Sequence, residues 1–276
     1  MRELAEIATW ATHLADRTGE RILERYTRVQ VEQKPDGTEV TVADRDAELF
    51  LREAIERAMP DAAILGEEHG GPSAAPERGD LWILDPIDGT RSFVCGNPLF
   101  GTLIGLVRDG RPVLGVCHMP ALGETLVAWE GGGCWWSRTG HQAQRCFVRD
   151  VARVEDAWVG LTGPHDSEWM SAAPHYRMTP LARAAKRIRW GGDCYVHAMV
   201  ARGGLQLGVD PVMQPWDIAA LVPCVRESGG WAGTVGGDEE GVVFGGSLLS
   251  ASTPALAAQA VELLKMGGSG DAPLSR

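Results

Sequence analysis

Asp85 and Asp88 stand three residues apart around Pro86, directly behind the apolar run Leu81-Trp82-Ile83-Leu84 and ahead of Gly89-Thr90. Two carboxylates on so short and stiff a turn can converge on one point, and like charges that close repel unless a cation lies between them. Gly89 and Thr90 fall where the chain would enter a helix, so their N–H groups can face an anion. A cation on one side and a phosphate on the other make a phosphoryl-transfer site. Three more acids lie in suggestive places. Glu67 sits in Gly66-Glu67-Glu68-His69-Gly70-Gly71 at the end of a short apolar run, and Asp217 opens the stretch Trp216-Asp217-Ile218-Ala219-Ala220. Asp44 lies three residues before Ala47, on the apolar side of a helix pattern. Taken singly, Asp44 and Asp217 are either first-turn acids that complement a helix dipole or ligands.

The elements that must hold these residues are legible from periodicity. The run 81–84 predicts a short buried strand, and open α/β sheets bind ligands at the carboxyl ends of such strands. Ala47, Phe50, Leu51, Ala54, Ile55 and Ala58 recur at helical spacing and Pro60 stops the helix. An amphipathic helix is expected over 3–27, with Leu4, Ile7, Leu14, Ile22 and Leu23 among its apolar positions, and a turn or mobile loop over 33–38. Strands are expected at 100–108, 112–119 and 124–129, with Asp109-Gly110 a hairpin turn between the first two. Gly131-Gly132-Gly133 is not followed by Gly-Lys-Ser/Thr and reads as a turn rather than a phosphate loop. Strands at 158–161, 188–190, 205–209 and 248–251 then alternate with helices at 167–173, 194–202, 216–228 and 254–266. That alternation predicts an α/β fold of layered helices and sheets. The pattern relaxes around 145–157. We therefore expect an N-terminal α+β subdomain over 1–150 carrying the metal and phosphate motifs, an α/β subdomain over 151–266 carrying substrate-selecting residues, and a disordered tail over 267–276.

Composition narrows the partners. The chain has 276 residues, 44% of them hydrophobic and 23% charged, as ordinary globular proteins do. A net charge of −11 argues against a nucleic-acid partner. No apolar run approaches the roughly 20 residues of a membrane span, and residues 1–16 lack a signal peptide's apolar core, so a cytoplasmic location is expected. Six cysteines with no Cys-x-x-Cys pair predict free thiols, and the seven histidines show no metal-ligand spacing. Any metal should be a hard cation held by carboxylate oxygens.

Gly66-Glu67-Glu68, then Trp82-Ile83-Leu84-Asp85-Pro86-Ile87-Asp88-Gly89-Thr90, then Trp216-Asp217-Ile218-Ala219-Ala220, in this order, resemble the inositol monophosphatase superfamily. The resemblance implies alternating α and β layers, a homodimer, and a magnesium-dependent, lithium-sensitive phosphomonoesterase with two or three ions per subunit. It also implies roles. Glu67, Asp85 and the carbonyl of Ile87 resemble the ligands of one magnesium; Asp85, Asp88 and Asp217 resemble those of the second, and Glu67 borders a weaker third site. Gly89 and Thr90 would hold the phosphate of a small phosphorylated metabolite, and Thr90 with Asp44 would orient and deprotonate the attacking water. Glu68 would lie behind these ligands.

Substrate choice must lie elsewhere, since metal and phosphate contacts are generic. Gly192-Asp193-Cys194-Tyr195 in the stretch after Arg189-Trp190, together with Val209-Asp210-Pro211, resembles the histidinol-phosphatase branch, while Val196-His197 stands where that branch has Gly-Tyr. Asp193, Asp210 and Arg189 are thus candidate substrate residues, and the two acids suit the ammonium and imidazole of L-histidinol phosphate. Asp193 could equally cap the helix that starts at Cys194. Other small monoesters, inositol 1-phosphate or a nucleoside bisphosphate, suit the same chemistry. An inactive binding protein would be expected to have lost one of the acids, and none is missing.

Overall fold

The computed structural model describes residues 3–26, 31–33, 39–161 and 176–265. The helix expected at 167–173, most of the loop at 33–38 and the tail from 267 lie outside the described residues. The first helix, α1 (Leu4–Leu23), forms because Ile7, Ala11, Leu14, Ala15, Thr18 and Ile22 recur along one buried stripe. Leu23, expected on that stripe, points outward instead and is 39% exposed. A small antiparallel ribbon of β1 (Val31–Gln33) and β2 (Glu39–Thr41) leads into α2 (Val42–Ala58). The buried face of α2 carries Ala47, Leu51 and Ile55, and with them two acids, Asp44 and Glu48.

Next come β3 (Ala63–Gly66), β4 (Asp80–Asp88), the short helix α3 (Thr90–Cys95), β5 (Gly101–Arg108), β6 (Arg111–Met119), β7 (Glu124–Trp129), β8 (Gly133–Arg138) and β9 (Gln144–Arg145). Strands β3 to β9 lie side by side in chain order as one sheet, parallel at β3–β4 and antiparallel beyond. A second sheet holds β10 (Trp158–Leu161), β11 (Arg187–Trp190), β12 (Leu207–Asp210), β13 (Trp231–Gly233) and β14 (Leu248–Ala251) in the order β11-β10-β12-β14-β13. Helices α4 (Met178–Ala184), α5 (Cys194–Ala201), α6 (Pro215–Ile218), α7 (Leu221–Glu227) and α8 (Pro254–Lys265) connect and cover it.

Side-chain alternation sorts these elements into layers. Trp82, Leu84, Ile104 and Leu106 face one side of the larger sheet and pack with Ile7, Leu14, Leu51 and Ile55 of α1 and α2. Leu81, Ile83, Leu103 and Val107 face the other side and pack with Cys194 and Ala198 of α5 and with Ile218, Leu221 and Val225 of α6 and α7. The opposite flank of α5, Val196 and Val200, meets Leu205 and the glycines of β10 and β12. Beyond the second sheet, Val159, Leu161, Leu249 and Ala251 pack with Leu181 of α4 and Leu256, Ala260 and Leu264 of α8. The result is the expected alternation of helix and sheet layers, with β4 buried on both faces. No helix among the described residues is long and apolar enough to cross a membrane.

Two elements depart from the sequence expectation in ways that matter for the site. The central strand does not end at Leu84 but continues to Asp88, and its register against β5 shifts between Asp85 and Asp88. Pro86 has no N–H to give the ladder, so the strand bulges there and its backbone turns the acids inward. The helix expected over 216–228 is broken into α6 and α7. Pro223 cannot donate to the carbonyl of Ala219, so the helix cannot run through. The resulting Ala219-Ala220 junction lies so close to the larger sheet that a Cβ on Gly115 would sit 1.9 Å from the Ala220 carbonyl oxygen.

Candidate metal and phosphate site

Asp85 continues the face of β4 that bears Leu81 and Ile83, and α6 brings Asp217 onto that same face. One carboxylate oxygen each of Asp85, Asp88 and Asp217 lies within 4.8 Å of the others. The three are locked by backbone donors. The N–H of Ile87 donates to Asp85 Oδ1 (2.9 Å), that of Cys194 to Asp88 Oδ2 (2.7 Å), and that of Gln214 to Asp217 Oδ2 (2.7 Å). β3 runs parallel to β4 with Gly66 opposite Leu84, which sets Glu67 beside Asp85; Glu67 lies next to the trio rather than within it.

The electrostatics are those of acids lacking a counter-charge. Burial, then Glu67, Asp88, Asp217 and Asp44, push the Asp85 carboxyl well above the usual carboxylate range. Burial also raises Asp88 well above that range, and Asp193 and Asp217 add to it. Asp217 is pushed up to about 7 by burial, with Glu67 and Asp210 adding to it and the Gln214 N–H pulling back. Buried carboxylates so placed need protons or a cation. An all-oxygen donor set of this charge fits a hard divalent ion such as magnesium, and these residues therefore fit the group that the sequence resemblance implies.

The phosphate side is built by Gly89 and α3. Gly89 adopts φ 82°, a left-handed turn open to glycine, and its carbonyl accepts the first helical bond from Phe93 N–H. The first N–H groups of any helix lack helical partners, so this turn presents donors where an anion would lie. Thr90 Oγ1 lies 3.3 Å from Asp44 Oδ1 and 3.2 Å from the Ile87 carbonyl oxygen. The other oxygen of Asp44 accepts from both the N–H and the hydroxyl of Thr41 in a capping box at the start of α2. Asp44 is thus a cap and a neighbour of Thr90 at once. Burial raises its carboxyl in spite of the Thr41 bonds.

Asp193 occupies the N-cap position of α5, yet its side chain caps nothing. It accepts instead from Ser92 Oγ at 2.6 Å, and a Cβ on Gly89 would meet its carboxylate at 2.7 Å. Its backbone is strained, with φ 45°. Asp210 ends β12 and lies near enough to raise Asp217. Arg189 stays apart, exposed on the outer strand β11 with its Cα opposite Gly160. His197, where the branch has a different residue, points away from the site: it is buried, with Nδ1 2.8 Å from Ser250 Oγ, and burial lowers it to about 3. That departure therefore lies in the core between the layers.

Sequence reading missed two groups of the site's surroundings. Ser92, with Asn97 Nδ2 donating to its Oγ at 3.3 Å, ties Asp193 to the phosphate turn. Glu48, one turn after Asp44, lies beneath the Gly66–Gly70 turn. Its helical spacing from Asp44 was the available signal, but the backbone donors it holds lie 20 and 21 residues away in the chain.

A layered fold with an acid-lined strand end and an adjoining anion turn defines a class, and comparison with known proteins agrees. The structure superposes on an IMPase of Thermotoga maritima with a TM-score of 0.81 at 29% identity, covering 94% of this chain and 96% of that one. The model of the inositol monophosphatase family matches residues 3–266. The chain belongs to the inositol monophosphatase family and is a phosphatase. Among curated relatives it is 37% identical to a histidinol-phosphatase of Chlorobaculum parvum over 88% of this chain and 90% of that protein. A histidinol-phosphatase of Mycobacterium tuberculosis is also 37% identical, over 80% of this chain and 84% of the relative.

Proposed function

We propose that the chain hydrolyses L-histidinol phosphate to L-histidinol and inorganic phosphate, a step of histidine biosynthesis. Magnesium would be held by Glu67, Asp85, the carbonyl of Ile87, Asp88 and Asp217. The observation that carries this reading is the identity to two histidinol-phosphatases across most of the chain. The carboxylate of Asp193 beside the phosphate turn supports it, because the substrate's leaving group is cationic.

Bound magnesium would supply Lewis-acid polarisation of the phosphoryl group and charge stabilisation during in-line displacement. The protein's own groups do the rest. The N–H donors of Gly89 and Thr90 orient the phosphate. Thr90 Oγ1 takes a proton from the attacking water and passes its own to Asp44 Oδ1, whose raised carboxyl makes it a better base than an exposed aspartate. Asp193 and Asp210 face the ammonium and imidazole of the leaving alcohol. We further take the protein to be cytoplasmic, as expected from residues 1–16, which lack a signal peptide's apolar core, and by the family resemblance a homodimer that uses two or three ions per subunit and is inhibited by lithium.

Phosphate release from L-histidinol phosphate, inositol 1-phosphate and p-nitrophenyl phosphate, each with magnesium and with a chelator, tests this. Turnover should vanish with chelator, and kcat/KM should be at least roughly tenfold higher for L-histidinol phosphate, a difference of about 1.4 kcal/mol. A preference for inositol 1-phosphate would favour the second reading, an inositol-phosphate phosphatase, which the structural match to an IMPase supports.

A further inference from the structure

Glu48 is fully buried on α2, four residues after Asp44 and on the same face. A carboxylate in that position must be compensated, and its partners are informative. Arg52 Nε donates to Oε1 at 2.7 Å, the Glu68 N–H to Oε2 at 2.7 Å, and the His69 N–H to Oε1 at 3.2 Å. Arg52 Nη2 also donates to the Gly70 carbonyl. The bonds from Glu68 and His69 and the bond to Gly70 land on the turn that carries Glu67, while the Arg52 Nε bond braces Glu48 from within α2. That turn closes on itself through Gly66 N–H to Gly70 O (3.1 Å) and Gly70 N–H to Gly66 O (3.0 Å). It is tied to β4 by Glu67 N–H donating to Leu84 O at 3.3 Å. The fit is close: a Cβ on Gly66 would lie 2.1 Å from Glu48 Oε1.

We propose that Glu48, with Arg52, is a positioning residue that aims Glu67 at the acidic cluster and thereby sets magnesium affinity. This rests on the metal site proposed above. The β3–β4 register and the Glu67 N–H bond to Leu84 O set Glu67 beside Asp85, so a small rotation of its turn moves its carboxylate relative to the cluster. Because α2 also carries Asp44, one helix fixes the spacing between the base and the Glu67 ligand. Glu48 touches neither substrate nor the cluster itself, and acts through the turn.

The test is magnesium binding to the metal-free full chain by calorimetry, beside kcat, KM and melting temperature. The variants are Glu48→Gln, Glu48→Ala, Glu67→Gln and the double variant Glu48→Ala/Glu67→Gln. Outer partners of metal ligands typically set about ten- to hundredfold in affinity. Glu48→Ala should weaken magnesium binding by that order while leaving the substrate KM at saturating magnesium near the parent value. Glu48→Gln keeps the shape and one acceptor but sets an NH2 against an N–H donor, so it should lower the melting temperature less than Glu48→Ala and weaken binding by roughly that range. If Glu48 acts through Glu67, the double variant binds magnesium no worse than Glu67→Gln alone. Unchanged affinity in Glu48→Gln and Glu48→Ala, or additive losses in the double variant, overturns the proposal. Should Glu48→Ala fail to fold, Glu48→Gln still decides. A parent protein that binds no magnesium overturns the metal reading itself, and this proposal with it.

Discussion

Burial and four neighbouring carboxylates, Glu67, Asp88, Asp217 and Asp44, raise the carboxyl of Asp85. Asp85→Asn keeps the acceptor for the Ile87 N–H but removes the charge a metal would use. Activity should fall by about a thousandfold or more, on the order of 4 kcal/mol of transition-state stabilisation. Without metal the variant should melt no lower than the parent, because one of the repelling buried charges is gone. Turnover assays and a melting curve check both, and near-normal turnover would remove Asp85 from the metal site. Asp193 needs a subtler replacement, since its carboxylate also holds Ser92. Asp193→Asn preserves that acceptor and deletes only the charge. A charge-assisted hydrogen bond contributes about 1.5–3 kcal/mol, so kcat/KM for L-histidinol phosphate should drop roughly ten- to a hundredfold relative to p-nitrophenyl phosphate. Ser92→Ala, which frees the turn, should lower both substrates together. Equal losses for Asp193→Asn on the two substrates would retire Asp193 as the recognition residue.

At the scale of elements, α2 does most of the organising. Its first turn is closed by Thr41, whose hydroxyl accepts from the Ala43 N–H while both its hydroxyl and its N–H bond Asp44. Thr41→Ala should cost about 1–2 kcal/mol of stability and, by removing one of the two donors that hold Asp44 Oδ2, lower kcat; Thr41→Ser should restore both. Thermal melts with steady-state kinetics decide it, and a stable variant of unaltered kcat would separate cap from base. The motifs were legible because their chemistry is local: Asp85, Pro86, Asp88 and Gly89 declare a stiff, acid-bearing turn into a helix within five residues, although the strand itself bulges and runs on to Asp88. What pairs across the chain was not. Glu48 reads as one more polar residue on a helix until the Glu68 and His69 N–H groups are brought to it. The break between α6 and α7 hangs on Pro223, whose missing N–H was outweighed in the sequence by the apolar spacing of Ile218, Leu221, Val222 and Val225. Strands β1 and β2 and helix α4 are too short for periodicity to mark. Asp193 shows the same limit, for its sequence neighbourhood signals a helix cap, and only the fold brings Ser92 within its reach.

Over the whole molecule, net charge −11 and a cluster of buried acids make folding, protonation and metal binding one equilibrium. Asp85, Asp88 and Asp217 are all raised in the folded chain, Asp217 to about 7, whereas an unfolded aspartate titrates near 3.9. The folded state without metal therefore binds protons more tightly than the unfolded one. This contribution to stability is complete below about pH 4 and is lost as pH rises through about 7 for Asp217. Magnesium competes with those protons, so the ion should stabilise the protein more at higher pH. For one such proton, the ionised fraction of Asp217 rises about tenfold between pH 6 and pH 8, equivalent to about 1.4 kcal/mol of binding free energy. In a chain of this size that corresponds to roughly 3–6 °C of additional magnesium-induced rise in melting temperature. Scans near pH 6 and near pH 8, each with chelator and with fixed magnesium, measure it. A magnesium-induced rise of equal size at both values would mean the ion does not bind where these protons sit, and a rise larger near pH 6 would reverse the sign that buried, mutually repelling carboxylates require.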